Sequence, residues 1–342
     1  MAKQIVECVP NFSEGRNLKA IEEIAAAITS VSGVRFISAE PDKDYHRTVV
    51  TFVGEPAAVV DAAFAATAKA VQVIDMTLHK GEHPRLGATD VVPFIPVSGV
   101  SMADCVALAR TFGKRVGEEL QIPVYLYEEA ATRPERKNLA SVRKGEYEGL
   151  EEKLRDPAWS PDFGPARFSA RSGATVTGAR AFLIAYNVNL NTSEIKLTNE
   201  IALRIRESGR VRRDVQGNPE VDSAGRKMTI PGSLKAVKAM GVLLQAHRIA
   251  QVSINLVNYH ITAPHVAFEE VKKEAATLGL EVTGSEIVGL TPKEALLIAG
   301  RFYEPALTEE EQLIDAAVRH LGLSQLDPFD PAKKIIEYQL SV

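Results

Sequence analysis

The sequence predicts an α/β protein built from two related β-α-β-β-α-β units. Two observations carry that prediction. Apolar runs of strand length alternate with longer segments whose apolar residues recur at helical spacing, in the same order twice along 342 residues. The turn after the first strand of each unit also repeats, as Pro10-Asn11-Phe12-Ser13-Glu14 and Leu190-Asn191-Thr192-Ser193-Glu194. A chain of this length is long for one core, so two packed lobes are expected.

In the first unit, Gln4–Val9 reads as a strand that ends at Pro10, and a polar loop runs from Asn11 to Arg16. Leu18, Ile21, Ile24, Ala25 and Ile28 mark a helix. Val34–Ala39 and Thr48–Val53 read as strands around a turn at Pro41-Asp42-Lys43-Asp44. Ala57–Ile74 predicts an alanine-rich helix and Val91–Val97 a strand; Ala103–Leu120 and Val124–Tyr127 add a further helix and strand. In the second unit, Phe182–Asn189 reads as a strand and Thr192–Glu207 as a helix capped from Thr192-Ser193-Glu194. Ser233–Leu244, Ala250–Val257 and Val282–Val288 read as strands and His265–Leu278 as a helix. This order is that of the ferredoxin-like folds. Each lobe is expected to be an α/β sandwich, with a central groove between the two. The expected divisions are 1–181, 182–326 and a tail at 327–342. Arg210–Gly232 reads as a surface excursion and Glu309–Leu321 as an amphipathic helix.

Lys and Arg number 40 against 44 Asp and Glu, a net charge of −4, so no overall basic field points to nucleic acid. Basic charge is expected to act locally, on a small anionic ligand. Cys8 and Cys105, the two cysteines, sit in apolar contexts, which suits reduced core residues of a cytoplasmic protein. The start carries no apolar signal core and no segment approaches a membrane span, so no membrane partner is expected.

The segment richest in chemistry is His79-Lys80-Gly81-Glu82-His83-Pro84-Arg85-Leu86-Gly87-Ala88-Thr89-Asp90. Two groups that titrate near neutrality stand in backbone almost free of bulk, just before a strand. His79-x-x-Glu82-His83 satisfies the inverted zinc-peptidase string, which needs both histidines on one helical face. Gly81 weakens such a helix and Pro84 pushes His83 out of the α region. A loop presenting an imidazole is the expected alternative to a zinc hydrolase, and two solvated loop histidines the plain one.

A second constellation is Gly164-Pro165-Ala166-Arg167-Phe168-Ser169-Ala170-Arg171-Ser172-Gly173, continuing to Arg180. Small residues let the backbone approach a ligand, and arginine forks suit carboxylates or phosphates. It is neither a phosphate loop nor a dinucleotide fingerprint, and an inter-lobe linker would have the same composition. Pro134–Gly149, with Arg136, Lys137, Arg143, Lys144, Glu146 and Glu148, reads as a solvated helical face. Trp159, Phe163 and Phe168 offer either flat surface for an aromatic ring or core.

Taken together, Val6–Gly15 (VECVPNFSEG), His79–Val97, Pro123–Ala130, Trp159–Pro165, Gly173–Asn187, Ala250–Leu256 and Ile335–Tyr338 resemble the glutamate formimidoyltransferase family, which also forms the first part of formimidoyltransferase-cyclodeaminases. The resemblance implies two related α/β subdomains about a groove, a homodimer, and no cyclodeaminase part. It implies transfer of a formimidoyl group between 5-formimidoyltetrahydrofolate and L-glutamate in histidine degradation, with N-formimidoyl-L-glutamate as the product or, in reverse, the donor. A tetrahydrofolate derivative is then the co-substrate, and no metal is implied. The family's catalytic histidine falls on His83 and its folate-binding segment on Gly164–Gly173. Glu40, where mammalian members of the family carry Asp, is a candidate to accept a proton or steady a cation. Arg47 is a candidate for a substrate carboxylate. A formyltransferase using 5-formyltetrahydrofolate and a non-catalytic folate-binding protein stay open as alternatives.

Overall fold

In the computed structural model, residues 3–43, 45–81, 84–223, 225–244 and 247–340 are described. The chain divides into two compact units, Met1–Ala181 and Phe182–Val342.

The first unit runs β1 (Ile5–Cys8), β2 (Asn11–Phe12), α1 (Leu18–Thr29), β3 (Val34–Asp42), β4 (Arg47–Gly54), α2 (Pro56–Val73), β5 (Thr89–Ser98), α3 (Met102–Glu119), β6 (Val124–Glu128), α4 (Leu139–Arg143), α5 (Leu150–Arg155) and β7 (Thr175–Ala179). The antiparallel order β3-β4-β1-β5 gives Glu7 two cross-strand partners, Val53 on β4 and Ile95 on β5. This is the sheet order of a β-α-β-β-α-β unit. Two parallel strands then widen the sheet, as β7 pairs with β5 and β6 pairs with β7. The expected polar loop at residues 11–16 begins instead as strand. Pro10 has no N–H to give, but its carbonyl accepts from Val50 and the ladder resumes at Asn11.

Alternation sets the core. Val6, Cys8, Phe12, Val50, Phe52, Val92, Phe94 and Leu126 point to one face of the sheet and pack on the helices. There α2 buries Ala62, Ala63, Ala66 and Ala70, whose small side chains let it lie close to its neighbours. A second cluster under α4 and α5 joins Leu86, Val91, Tyr125, Tyr127, Val142, Leu150, Leu154 and Val176. Trp159 belongs to this region. It meets Tyr125 edge-on and carries the Arg136 guanidinium and Lys153 ammonium over its ring. Phe163 packs on the helical core, so neither it nor Trp159 is a free aromatic platform.

Glu7 alternates with Val6 and Cys8, and is buried on the face away from the helices. Burial lifts its carboxyl from 4.5 to about 7, with Arg180 pulling the other way. A carboxyl raised in the folded state leaves stability intact below its unfolded value and removes it as pH rises through its folded one. Glu7→Gln should therefore be more stable than the parent at pH 8, by about 3 kcal/mol for a displacement of this size. The gain should shrink towards zero near pH 4.5, as urea unfolding at the two pH values would show.

The second unit runs β8 (Ile184–Leu190), α6 (Ile195–Ile205), β9 (Arg210–Val211), β10 (Thr229–Ile230), β11 (Val237–Leu244), β12 (Ile249–Leu256), α7 (Pro264–Thr277), β13 (Val282–Val288), α8 (Lys293–Tyr303), α9 (Glu310–His320) and α10 (Pro331–Lys334). Its antiparallel order β11-β12-β8-β13 is that of β3-β4-β1-β5, so the repeat in sequence is a repeat in topology. Two expected boundaries shift. The helix expected from Thr192 begins at Ile195, because the Thr192 hydroxyl accepts from the N–H of Glu194 and closes a turn before it. The strand expected from Ser233 begins at Val237. Ala236 is left-handed at φ 54°, and Ser233 and Leu234 donate to Arg204 and Ile205 at the end of α6. The 210–232 excursion closes on itself through β9 and β10 and is largely exposed. Among the described residues no helix is long and apolar enough to cross a membrane.

Candidate active site

The site builds outward from the short turn Met76–Leu78, whose first N–H donates to the carbonyl of Arg171. His79 follows and is buried. Its Nε2 lies 2.8 Å from the carbonyl oxygen of His46. A carbonyl only accepts, so Nε2 carries the proton and Nδ1 is left to accept from Arg85 Nε at 3.2 Å. Burial holds the His79 imidazole below its ordinary value. The bond to His46 opposes this, while the positive charge on His46 and Arg85 adds to it. Both the bonding and the environment favour the neutral ring.

His46 stacks on His79, with ring centres 4.2 Å apart and planes 10° off parallel. Its backbone is left-handed at φ 50°. Its Nδ1 faces the carbonyl of Lys80 at 2.9 Å and its Nε2 faces Glu14 Oε1 at 3.1 Å. Both partners only accept, so the doubly protonated ring satisfies both contacts. Burial pushes the Glu14 carboxyl up. The N–H groups of Asn17 and Arg16, with His46, outweigh it and hold the group below its ordinary value.

Arg85 is buried beneath an acidic rim. It donates to Glu146 at 3.1 Å and to both oxygens of Glu148, at 2.8 and 2.6 Å. Residues 134–149 therefore do not form the solvated helical face that their composition suggests. Helix α4 stops at Arg143, positive φ at Gly145 and Glu146 turns the chain, and the two acids return over Arg85. Arg143 is itself mostly buried and pairs with the buried carboxylate of Asp90, which also accepts from the N–H of Leu86 at 2.8 Å. Burial raises the Asp90 carboxyl above its ordinary value, with Arg143 the largest opposing influence.

Arg47, a sequence candidate, stands at this place. Burial and the neighbouring Arg143 lower its pKa, and Asp90 and Asp42 partly offset them. A cleft of about 740 Å³ opens beside these groups, lined by Arg16, Lys80, Gly81, Arg85, Glu146 and Glu148 among others. Glu40 is exposed on β3, opposite Val49, and accepts from the Ser38 hydroxyl at 3.1 Å. It lies two residues along the strand from Asp42, which pairs with Arg47, so the two candidates share one sheet face. His83 and Glu82 lie outside the described residues.

The Gly164–Gly173 segment meets the other end of the same loop. The N–H of Ala88 donates to the carbonyl of Ser172, and that of Ala174 to Leu86. Gly87 bridges Gly173. Ser169 and Ser172 share a hydroxyl contact of 2.6 Å, and Arg171 donates to the carbonyl of Gln72 at 3.0 Å. The Tyr147 hydroxyl donates to the carbonyl of Ala170, and its ring tilts against Phe168 at 5.5 Å. Ala166 and Arg167 are exposed, and Pro165 is half-buried. The two constellations singled out in the sequence are thus neighbours in one unit.

Sequence reasoning missed Glu14, His46, Arg85, Asp90, Arg143 and Glu148 as members of this network. One signal was available. Asp90 is a charge at the start of a strand that is otherwise apolar from Val91 to Val97. Among the described residues no group of three His, Cys, Asp or Glu side chains is placed to hold a metal ion.

Comparison with known proteins gives two adjoining family matches. The N-terminal subdomain of the formiminotransferase domain matches residues 5–180, and the formiminotransferase domain matches residues 185–341. The chain is 49% identical over 339 residues to the formimidoyltransferase-cyclodeaminase of Mus musculus, covering 98% of this chain and 60% of that protein. It is 45% identical over 301 residues to the glutamate formimidoyltransferase of Thermoplasma acidophilum, covering 87% of this chain and 92% of that one. For the glutamate formimidoyltransferase of Streptococcus pyogenes serotype M1 the identity is 43% over 303 residues, with 89% and 94% covered. The chain thus spans about 60% of the length of the cyclodeaminase-bearing relatives it matches.

Proposed function

Given that this chain belongs to the formiminotransferase domain family, we propose that it transfers a formimidoyl group between N5 of tetrahydrofolate and the amine of L-glutamate. One observation carries the reading: the similarity to relatives named glutamate formimidoyltransferase extends over nine-tenths of their length. In the forward direction glutamate arrives as an ammonium and must lose a proton before its nitrogen can bond to the formimidoyl carbon. The bond from that carbon to N5 breaks, and N5 takes up a proton. His83 performs both transfers, accepting from the glutamate ammonium and donating to N5, because an imidazole with an ordinary pKa of about 6.5 can hold or release a proton near neutrality. The amidinium carbon already carries positive charge, so the chemistry calls for no metal electrophile.

Tetrahydrofolate brings a flat ring system, the transferable one-carbon unit and carboxylates. The residues Gly164–Gly173 fit such a co-substrate. Arg167 is exposed for an anion, and Phe168 against Tyr147 offers an aromatic surface. In this reading Arg47 holds a substrate carboxylate, and Glu40 steadies positive charge from the same sheet face. The free, buried Cys8 and Cys105 suit a reducing cytoplasm, and a homodimer is the expected assembly.

The test is to give the purified chain L-glutamate with either 5-formimidoyl- or 5-formyltetrahydrofolate and to measure free tetrahydrofolate. Turnover at least about tenfold faster with the formimidoyl donor is expected, the two donors differing by a hydrogen-bonding NH against O. Faster turnover with the formyl donor would reassign the enzyme as a formyltransferase. No turnover with either would overturn the reading. One tightly held zinc per chain, in protein purified without added zinc, would point to the hydrolase instead.

A further inference from the structure

We propose that a cleft in the second unit, between the end of α6 and the 210–232 excursion, binds a small multivalent oxyanion, a phosphate or a polycarboxylate, on Arg206, Arg210 and Arg213. The inference is independent of the transferase reading. The cleft measures about 530 Å³ and is lined by those arginines, Glu200, Leu203 and Ile230 among others. Its walls are fixed by backbone contacts. Glu200, Leu203 and Arg206 follow at intervals of three along α6 and its end, so they share a face. The chain then turns at Gly209, left-handed at φ 62°, where a Cβ would lie 1.8 Å from the carbonyl oxygen of Ile230. At the far end of the excursion, a Cβ on Gly232 would lie 2.0 Å from the carbonyl oxygen of Arg206. Both ends of the excursion therefore close on the end of α6, which only glycine permits. Between them the N–H groups of Arg212, Glu220 and Met228 donate to the carbonyls of Met228, Arg212 and Glu220, at 2.8, 2.9 and 2.9 Å, and tie three short segments into one layer.

The distribution of charge points to an anion. Residues 206–232 carry six arginines and lysines and four acids, and all four acids are engaged. Glu220 pairs with Arg212 and Asp222 with Arg226, each at 2.8 Å. Asp214 accepts from the N–H groups of Gln216 and Asn218 in its own turn, and Glu207 from that of Ala236. Glu200, the acid of the cleft, pairs with Arg204 at 3.0 Å. Among the described residues no carboxylate pairs with Arg206, Arg210 or Arg213. Arg206 and Arg213 donate to backbone carbonyls, those of Gly209 at 2.9 Å and Gly217 at 2.7 Å. Nor do the three cap α6, since the carbonyls of Arg204 and Ile205 accept from the N–H groups of Ser233 and Leu234. Guanidinium groups gathered at one cleft repel one another, and Arg206 and Arg210 are half-buried, which adds a desolvation cost. A bound oxyanion offsets both, because each fork can donate two parallel N–H bonds to a phosphate or carboxylate. Leu203 and Ile230 suit the carbon skeleton that joins the anionic groups.

Pyrophosphate and citrate, titrated calorimetrically into the full chain in a buffer free of phosphate and carboxylate, test the site. At least one of them is expected to bind one ion per chain with a Kd of about 1 mM or tighter. Arg210→Gln and Arg213→Gln should each weaken that binding by about tenfold or more, as loss of a hydrogen bond between charged groups does. Arg226→Gln removes a charge from the same excursion, but one that Asp222 already holds, and should leave the Kd within about threefold. Arg213 is exposed, so Arg213→Gln should keep the parental unfolding midpoint, and it decides the matter if Arg210→Gln does not fold. Saturation by pyrophosphate alone supports the site and makes its ligand a phosphate; saturation by citrate alone supports it and makes the ligand a polycarboxylate. Saturation by both supports a site that reads charge. Equal weakening in all three variants would reduce the cleft to part of a diffuse basic field and overturn the proposal. Binding that neither Arg210→Gln nor Arg213→Gln weakens would overturn it too, since the anion would then sit elsewhere. So would the absence of saturable binding by either anion up to about 10 mM.

Discussion

Replacing His83 with alanine should leave a folded protein that still binds folate and has lost between about 100- and 10,000-fold of its turnover, the range that general acid–base catalysis by one positioned side chain supplies. The loss should appear in kcat with N-formimidoyl-L-glutamate and tetrahydrofolate, or with the reverse pair. The KM values should change little, because the imidazole moves protons rather than holding substrate. Added imidazole should restore part of the rate, by entering the space that the side chain left. Near-parental turnover in the folded variant would show that another group carries the protons, with Glu40 the next candidate.

Gly173→Ala should be the most disruptive small substitution near the site. Gly173 is left-handed at φ 65°, and a Cβ there would lie 2.1 Å from the carbonyl oxygen of Leu86 and 2.7 Å from Gly87 Cα. The left-handed conformation costs an alanine about 1–2 kcal/mol. The clash cannot be relieved by a side chain turning aside, because the atoms met are backbone. Relief means parting the 86–88 and 172–174 segments, with loss of the Ala88-to-Ser172 and Ala174-to-Leu86 hydrogen bonds, each about 1 kcal/mol. A destabilisation of about 3–4 kcal/mol is expected in urea unfolding, with a weakened affinity for tetrahydrofolate in the protein that remains folded. Gly217→Ala provides the comparison. Its φ is 86°, yet nothing lies within 4 Å of a Cβ there, so the conformational cost of about 1 kcal/mol should stand alone. Equal losses at the two positions would mean that the packing of these segments contributes nothing.

The elements legible in the sequence are those whose signal is local. The alternation of Val6 and Cys8 with Glu7, and the spacing of Leu18, Ile21, Ile24 and Ile28, are read within one strand or helix, because neighbouring side chains fall on fixed faces. The doubled β-α-β-β-α-β order follows from them. Strand β7 was not legible. Thr175–Ala179 is made of small residues because it lies buried between two parallel neighbours, and in composition that resembles a loop. Helix α8, Lys293–Tyr303, has no counterpart among the elements expected from the sequence. Gly164–Gly173 contains no helix or strand, and its contact with Leu86–Ala88 has no local signature.

By itself the sequence determined the fold class, the repeat and the loop that carries His83, because periodicity and turn chemistry act over a few residues. Only the tertiary structure decided what surrounds that loop. Glu14, His46, Arg85 and Glu148 come from four separate segments, and ladder pairing together with the turn after α4 brings them together. A charge read alone in a sequence defaults to solvent. Whether Arg85 is exposed or clamped depends on acids more than sixty residues away, and that information resides in distance rather than in order.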